Sequence, residues 1–244
     1  MVTGVSRRIG IGFTVARRLA TDGVDVLATG WTPHDAGQRW GADDADIAAA
    51  LTEGLPDGSG TITYRQDDLA DPDVPARVID AAPGADSLIA VHARSSDVSL
   101  ADSTAAELDL CWAVNVRATL LLVQRFAETE RPRRVVMFTS GQHYGAMPGE
   151  LPYVATKGAL QQLTASLAAE LAPRRITVNC INPGPVDTGY ADDRSREWVA
   201  GRMPFGRWGR PDDTAELVSW LVSDASGWIT GQTLVSDGGW GVRG

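Results

Sequence analysis

Residues 3–12 read TGVSRRIGIG, and this glycine-rich stretch opens a unit of loop, helix and strand. Apolar residues recur at helical spacing over 13–21, Asp22 and Gly23 end that pattern, and a short β-prone run follows over 24–29. Glycines at the start of a helix let an anion approach the backbone N–H groups, where the helix dipole also favours negative charge. The stretch predicts a phosphate-binding turn, although a plain glycine turn would give the same short pattern.

Strands and helices alternate along the rest of the chain. Further β runs are predicted over 61–66, 87–92, 134–139 and 176–181, with helices over 43–51, 73–82, 105–128 and from the region of Tyr153 to about 172. This order predicts an α/β fold with a doubly wound parallel sheet in a single domain over 1–244. Only Met1 and Val2 precede the glycine-rich stretch, so the first strand is either abnormally short or begins upstream of this sequence.

Composition and charge exclude several classes of partner. The net charge of −9 and a pI near 4.8 argue against nucleic acid or an anionic membrane as partner, and no apolar run reaches the ~18 residues of a membrane span. No signal peptide is apparent, and Cys111 and Cys180 lie among apolar residues as expected for free thiols, so a cytoplasmic location is predicted. His34, His92 and His143 lack metal-ligand spacing, which predicts no metal site.

Residues 140–157 read SGQHYGAMPGELPYVATK and carry a candidate acid–base pair. Tyr153 and Lys157 are four residues apart, so both side chains lie on one helical face. Lys157 is the only lysine in the chain, and the other 21 of its 22 basic residues are arginine. A neighbouring ammonium favours the phenolate, so the pKa of Tyr153 is expected to be lowered. The phenol would then give or take a proton at a carbonyl or alcohol oxygen.

A Tyr-x-x-x-Lys pair alone is an ordinary feature of helix surfaces. Together with Ser140 after a β run and the glycine-rich start, it resembles the short-chain dehydrogenase/reductase family along nearly the whole chain. The resemblance implies a Rossmann-like fold and hydride transfer between NAD(P) and a ketone or secondary alcohol. Ser140 would hold the substrate oxygen, Tyr153 would transfer the proton, and Lys157 would also bind the nicotinamide ribose. Asn115 would anchor a relay water, although an asparagine that packs one helix against another is the alternative.

The resemblance also implies cofactor contacts along the chain. The matching positions are Gly4, Ser6, Arg7, Arg8, Gly10, Ile11, Gly12, Trp31, Asp68, Leu69, Ala93, Tyr153, Lys157, Pro183, Gly184, Val186 and Thr188. Two departures stand out. Five residues separate Gly4 from Gly10, where the family usually has three, and residues 91–94 read VHAR where it usually has Asn-Asn-Ala-Gly.

The end of the second predicted strand bears on the choice between NAD and NADP. A carboxylate there would bind the ribose 2′-hydroxyl and repel a 2′-phosphate. Residues 29–31 read TGW and contain no acid. Arg7 and Arg8 are candidates to bind a 2′-phosphate, although arginines that are exposed to solvent or pack without a phosphate are the equal alternative. NADP(H) is predicted over NAD(H).

The substrate is predicted to be a small carbonyl or alcohol compound, with a 3-oxoacyl reductase as the activity that the resemblance suggests first. Residues 189–208 are polar, contain glycine and proline, and include several aromatics, which predicts a substrate lid. The long glycine loop resembles that of enoyl reductases, but that branch would need a tyrosine at position 150, which is Glu150. A non-catalytic NAD(P)-binding sensor is the alternative of a different class. The family also implies a homo-oligomer, a dimer or a tetramer.

Overall fold

The fold is given by a computed structural model, which describes residues 1–43, 46–128, 131 and 133–242, without the side chain of residue 143. The described residues contain seven strands in one parallel sheet, in the order β3-β2-β1-β4-β5-β6-β7. The order reverses between β1 and β4, as in a doubly wound sheet. The strands are β1 (Val2–Thr3), β2 (Val26–Gly30), β3 (Ile62–Gln66), β4 (Ser87–Ala90), β5 (Arg133–Phe138), β6 (Ile176–Asn182) and β7 (Thr233–Val235).

Helices cover both faces of the sheet. In chain order they are α1 (Ile11–Thr21), α2 (Thr32–Ala36), α3 (Ile47–Thr52), α4 (Val74–Asp80), α5 (Ala105–Trp112), α6 (Ala118–Phe126), α7 (Leu151–Leu171), α8 (Asp193–Ala200) and α9 (Pro211–Val222). Apolar side chains of α1, α3 and α9 form one core cluster, and those of α4, α6 and α7 form the other. No helix in the described ranges is both long and apolar enough to cross a membrane.

Strand β5 shows how the sequence builds this three-layer arrangement. Val135 and Met137 belong to the cluster on one face, whereas Val136 and Phe138 belong to the cluster on the other. Successive side chains of a strand point to opposite faces, so four consecutive apolar residues in a strand must be covered on both sides. The continuous apolar run of β5 therefore requires helices above and below it.

Strand β1 is only two residues long, yet it lies at the centre of the sheet. Val2 pairs with Ala28 on one side and Ile89 on the other, and Thr3 pairs with the next position of each neighbour. The chain then turns directly into the glycine-rich stretch, which is thereby placed at the carboxyl edge of the sheet.

Local structure departs from the sequence-based predictions at three places. The helix expected over 105–128 is split into α5 and α6 by a π-helical turn, Ala113–Arg117. Helix α2 directly after β2 is not predicted at all. The helix expected over 43–51 begins later, as α3, because the carboxylate of Asp46 caps it by accepting from the backbone N–H of Ala48 at 2.9 Å. Residues 44 and 45 of that prediction lie outside the described residues.

Candidate active site

A cavity of about 600 Å³ opens at the carboxyl ends of the strands, on both sides of the point where the strand order reverses. Ligands of open α/β sheets bind in the crevice at such a point. Most of the predicted site residues line it: Gly4, Ser6, Arg7, Gly10, Ile11, Gly12, Trp31, Asp68, Leu69, Ala93, Ser140, Tyr153, Pro183, Gly184, Val186 and Thr188. Arg8, Asn115 and Lys157 are not part of the lining.

The glycine-rich stretch leaves its backbone open to the cavity. Gly4 has a φ of +77°, and a Cβ on it would lie 2.5 Å from the backbone nitrogen of His92. A Cβ on Gly12 would lie 2.5 Å from the carbonyl oxygen of Gly4, so both positions require glycine. Helix α1 begins after Gly10 without a capping side chain and without an acid in its first turn. Its first N–H groups are therefore suited to an anion such as a pyrophosphate.

The two arginines of the loop have different surroundings. Arg8 is paired with Asp43, with its Nε 3.0 Å from a carboxylate oxygen, and is turned away from the cavity. Arg7 lines the cavity with its guanidinium carbon 5.6 Å from the centre of the Trp40 ring. A Cβ on Gly189 would lie 3.1 Å from an Arg7 nitrogen, so this guanidinium faces the start of segment 189–208. Of the two, Arg7 alone is placed to contact a ligand in the cavity.

Tyr153 and Ser140 both line the cavity. Ser140 follows β5. Tyr153 lies in the first turn of α7, in which Pro152 is the second residue. The Ser140 hydroxyl lowers the pKa of Tyr153. Burial has the larger effect and raises that pKa well above its ordinary value, and the Glu150 and Tyr190 side chains act in the same direction.

Lys157 lies one helical turn beyond Tyr153 and is only 2% exposed. Its ammonium nitrogen donates to the carbonyl oxygen of Phe138 at 3.0 Å and lies 5.6 Å from the centre of the Tyr153 ring. Burial lowers the pKa of Lys157 to about 8. The prediction from the sequence that this ammonium lowers the Tyr153 pKa is therefore wrong, because the pKa of Tyr153 is raised. Spacing predicts that the two groups are neighbours, but the loss of solvation outweighs the attraction between them.

Asn115 lies in the π-helical turn and is fully buried. Its amide oxygen accepts from the backbone N–H of Arg94 at 2.6 Å, and its amide nitrogen donates to the Arg94 carbonyl at 3.1 Å and to the Thr156 hydroxyl at 2.9 Å. Thr156 in turn donates to the backbone carbonyl of Tyr153 at 2.7 Å. The Asn115 side chain thus ties the segment after β4 to the helix that carries Tyr153. π-Helical turns of this kind occur often at functional sites.

His92 is buried and hydrogen-bonds to two segments of the fold. Its Nε2 lies 3.1 Å from the Val114 carbonyl, which can only accept, so Nε2 carries the proton and Nδ1 accepts from the Thr3 hydroxyl at 2.6 Å. Burial, followed by the charge of Lys157, lowers the pKa of His92 to about 3. A neutral imidazole therefore joins β1 to the π-helical turn. In the described part of the chain, no group of three or more His, Cys, Asp or Glu side chains is arranged to hold a metal ion.

Known proteins share this architecture over its full length. A family model described as enoyl-(acyl carrier protein) reductase matches residues 4–241. The protein YjdA of Bacillus subtilis (strain 168), named an uncharacterized oxidoreductase, is 36% identical over 253 residues, which cover 100% of this chain and 96% of YjdA. A blue fluorescent protein from a metagenomic library, solved in complex with NADPH, has a TM-score of 0.84 at 29% identity and 98% and 96% coverage. A short-chain dehydrogenase/reductase from Serratia marcescens has a TM-score of 0.85 at 29% identity, with 99% and 96% coverage. The chain belongs to the short-chain dehydrogenase/reductase family.

Members of the short-chain dehydrogenase/reductase family bind a nicotinamide dinucleotide, and the cavity fits that group. The crevice lies at the reversal point of the sheet, Gly4 and Gly12 leave the backbone bare, and the start of α1 offers uncapped N–H groups. Gly184 also lines the cavity, with a φ of +65° and with no room for a Cβ, which would lie 2.4 Å from the Cβ of Asp237. The cofactor would therefore lie across the ends of the central strands.

The sequence analysis of this short-chain dehydrogenase/reductase did not identify three residues of the site. Thr156 supports Tyr153, and no spacing signals its bond to Asn115, which is 41 residues away. Arg39 lines the cavity and donates to the carbonyl of Tyr190 at 2.7 Å, across 151 residues of chain. Glu150 also lines the cavity, and its position three residues before Tyr153 is the signal that would have indicated it.

Proposed function

We propose that the protein catalyses hydride transfer between a nicotinamide dinucleotide and a ketone or secondary alcohol. The observation that carries the proposal is that Ser140 and Tyr153 line one cavity, with the buried ammonium of Lys157 5.6 Å from the centre of the Tyr153 ring. This is the arrangement of a hydroxyl that holds an oxygen and a phenol that transfers a proton to it. A small-molecule substrate would lie beside these two hydroxyls.

Several side chains have separate roles in the proposed reaction. When bound, a nicotinamide dinucleotide supplies the hydride to the carbonyl carbon in reduction and receives it in oxidation. Ser140 donates a hydrogen bond to the substrate oxygen as negative charge develops there. Tyr153, which burial keeps protonated, gives its proton to that oxygen and so completes the alcohol. The Lys157 ammonium stabilises the phenolate left behind, and Asn115 with Thr156 holds the helix that carries Tyr153 in place.

We further infer that NADP(H) is the cofactor used in preference to NAD(H). The residues after β2 provide Trp31 in place of an acid, and Arg7 is a cationic group that lines the cavity. The NADPH found with the blue fluorescent protein supports the same choice. Asp35 also lines the cavity, but its carboxylate accepts from the Trp40 indole N–H at 2.9 Å and so supports the ring against which Arg7 lies. Dissociation constants for NADPH and NADH, measured with wild type and Arg7→Ala, test this inference. A preference for NADPH that does not fall in the variant contradicts the role of Arg7.

A 3-oxoacyl compound is the ketone that the family resemblance suggests first. Enoyl reduction is the less favoured alternative, although the matching family model carries that description. A phenol six residues before Lys157 would be needed for it, and that position is Glu150, whose carboxyl lines the cavity. A homo-oligomer, a lid over 189–208 and a cytoplasmic location stay predictions.

The decisive experiment replaces Tyr153 with phenylalanine and follows NADPH consumption over a panel of ketones. Removing a general acid lowers turnover by about a hundred- to ten-thousandfold, while NADPH still quenches tryptophan fluorescence. Tyr144→Phe is the matched control, because this phenol lies outside the cavity lining. Undiminished turnover in Tyr153→Phe refutes the proposed role of the phenol. A wild-type protein that binds NADPH but consumes none with any ketone is instead the non-catalytic sensor.

A further inference from the structure

Residues 184–190, which we call the strap, lead from the end of β6 to the opposite side of the crevice. Residues at both ends of the strap line the cavity. A Cβ on Gly189 would lie 3.1 Å from a guanidinium nitrogen of Arg7 and 3.6 Å from the side chain of Ile9. These two residues belong to the loop after β1. The strap therefore begins at β6 and reaches the loop that leaves β1.

A hydrogen bond joins the strap to a third segment. The guanidinium of Arg39, which follows α2, donates to the Tyr190 carbonyl at 2.7 Å, and both residues line the cavity. In the sheet, β4 and β5 separate β1 from β6. Neighbouring strands lie about 4.8 Å apart, so the strap crosses about 14 Å over the carboxyl ends of β4 and β5. A dinucleotide that lies across the ends of the central strands would pass between the strap and the sheet.

The two sides of the strap differ in how firmly they are held. The chain that follows the strap packs against the residues after β7. There the rings of Trp198 and Trp240 meet edge to face with their centres 5.7 Å apart, and Met203 is buried. The opposite side depends on the bond from Arg39, which is exposed to solvent, and on the side-chain contact with Arg7. Contacts that are exposed to water and bury little apolar surface break first, so the strap opens at Arg39.

We propose that the strap is a gate for the nicotinamide dinucleotide, and that the bond from Arg39 to Tyr190 sets how fast the gate opens. The gate rests on the cofactor binding proposed above but not on the hydride transfer. Arg39 is a positioning residue in this role, because its bond joins two parts of the protein and does not hold the ligand. Loss of the bond should raise the rate constants for entry and exit by the same factor. The dissociation constant, which is set by their ratio, should then stay unchanged.

Stopped-flow mixing with NADPH, followed by the quenching of tryptophan fluorescence, measures both rate constants. Arg39→Met should raise each of them by about three- to tenfold, the range expected for one lost hydrogen bond. Arg131→Met is the matched control. Arg131 is also exposed and donates to a distant carbonyl, that of Pro83 at 3.4 Å, but it precedes β5 and so lies at the opposite edge of the sheet. Its variant should bind and release NADPH at the wild-type rates.

A ligand of half the length tests whether the strap, and not a direct contact with Arg39, governs the rates. Adenosine 2′,5′-bisphosphate lacks the nicotinamide half, so it would bind on the side of β2 and β3 without passing under the strap. Its rate constants should be the same in wild type and in Arg39→Met.

Each result decides the proposal. Unchanged NADPH rate constants in Arg39→Met overturn the gate. A higher dissociation constant for NADPH or for the bisphosphate in that variant shows that Arg39 holds the ligand directly, and it also overturns the gate. Faster exchange at an unchanged dissociation constant, in a protein that reduces no ketone, supports the gate and counts against the hydride transfer. A wild type that binds no NADPH overturns the gate and the cofactor assignment together.

Discussion

Replacing Lys157 with methionine should make the protein more resistant to unfolding near neutral pH while it removes activity. The Lys157 pKa is about 8 in the folded protein and 10.5 in the unfolded chain, because burial disfavours the charge. Between these values the unfolded chain binds more protons, so the free energy of unfolding of the wild type rises with pH across this window. Below pH 8 the burial of the charged Lys157 lowers the free energy of unfolding by its full amount. The difference between the two pKa values corresponds to about 3 kcal/mol. Methionine has nearly the same length and carries no charge, so it removes this loss of stability.

Urea denaturation of wild type and Lys157→Met, followed by tryptophan fluorescence at a series of pH values, measures the effect. The lost hydrogen bond to Phe138 shifts the stability of the variant by a constant amount, so only the pH dependence is diagnostic. The free energy of unfolding of the variant relative to wild type should fall by about 2.5 kcal/mol between about pH 7 and pH 10. Gln162→Met, at an exposed position of α7, should follow the wild-type pH dependence. Parallel curves for wild type and Lys157→Met would falsify the claim that the ammonium is held at a cost.

Two further pairs of variants test local claims. Gly4 and Gly41 both have positive φ, but only Gly4 has no room for a Cβ, so Gly4→Ala should cost at least about 2 kcal/mol more in unfolding free energy than Gly41→Ala. Equal losses would mean that backbone strain alone makes glycine necessary. Thr156→Val should cost about 1–3 kcal/mol because it leaves one of the two N–H groups of the buried Asn115 amide without an acceptor. Thr164→Val, which removes a bond within one helix, should cost clearly less in the same urea titration, and a similar loss would argue against a supporting role for Thr156.

The sheet and its crevice could be predicted because their signals are local. The apolar run that becomes β5, the glycines at 4, 10 and 12, and the four-residue spacing of Tyr153 and Lys157 each lie within a few residues of one another. Periodicity and turn chemistry act over that same range. The alternation of strands and helices predicted a doubly wound parallel sheet, and the strand order confirms it.

The parts that could not be predicted depend on contacts between distant segments. The bond from Arg39 to Tyr190 forms only when the fold brings them together, and no pattern near either residue indicates it. The pKa of Tyr153 depends on how completely the phenol is buried, which spacing does not report. The π-helical turn around Asn115 has the composition of an ordinary helix, so the sequence predicts one continuous helix there.

The brevity of β1 has a consequence for how the protein opens. Two paired positions join β1 to β2 and two join it to β4, whereas β5 and β6 share six. We expect the amides of β2 and β3 to exchange with deuterium sooner than those of β5 and β6. The loop after β1 is also joined to β2, because the N–H of Val5 donates to the Thr29 carbonyl at 2.9 Å. A dinucleotide bound to that loop would slow deuterium exchange in β2 and β3 first. Deuterium uptake therefore measures dinucleotide binding without an activity assay.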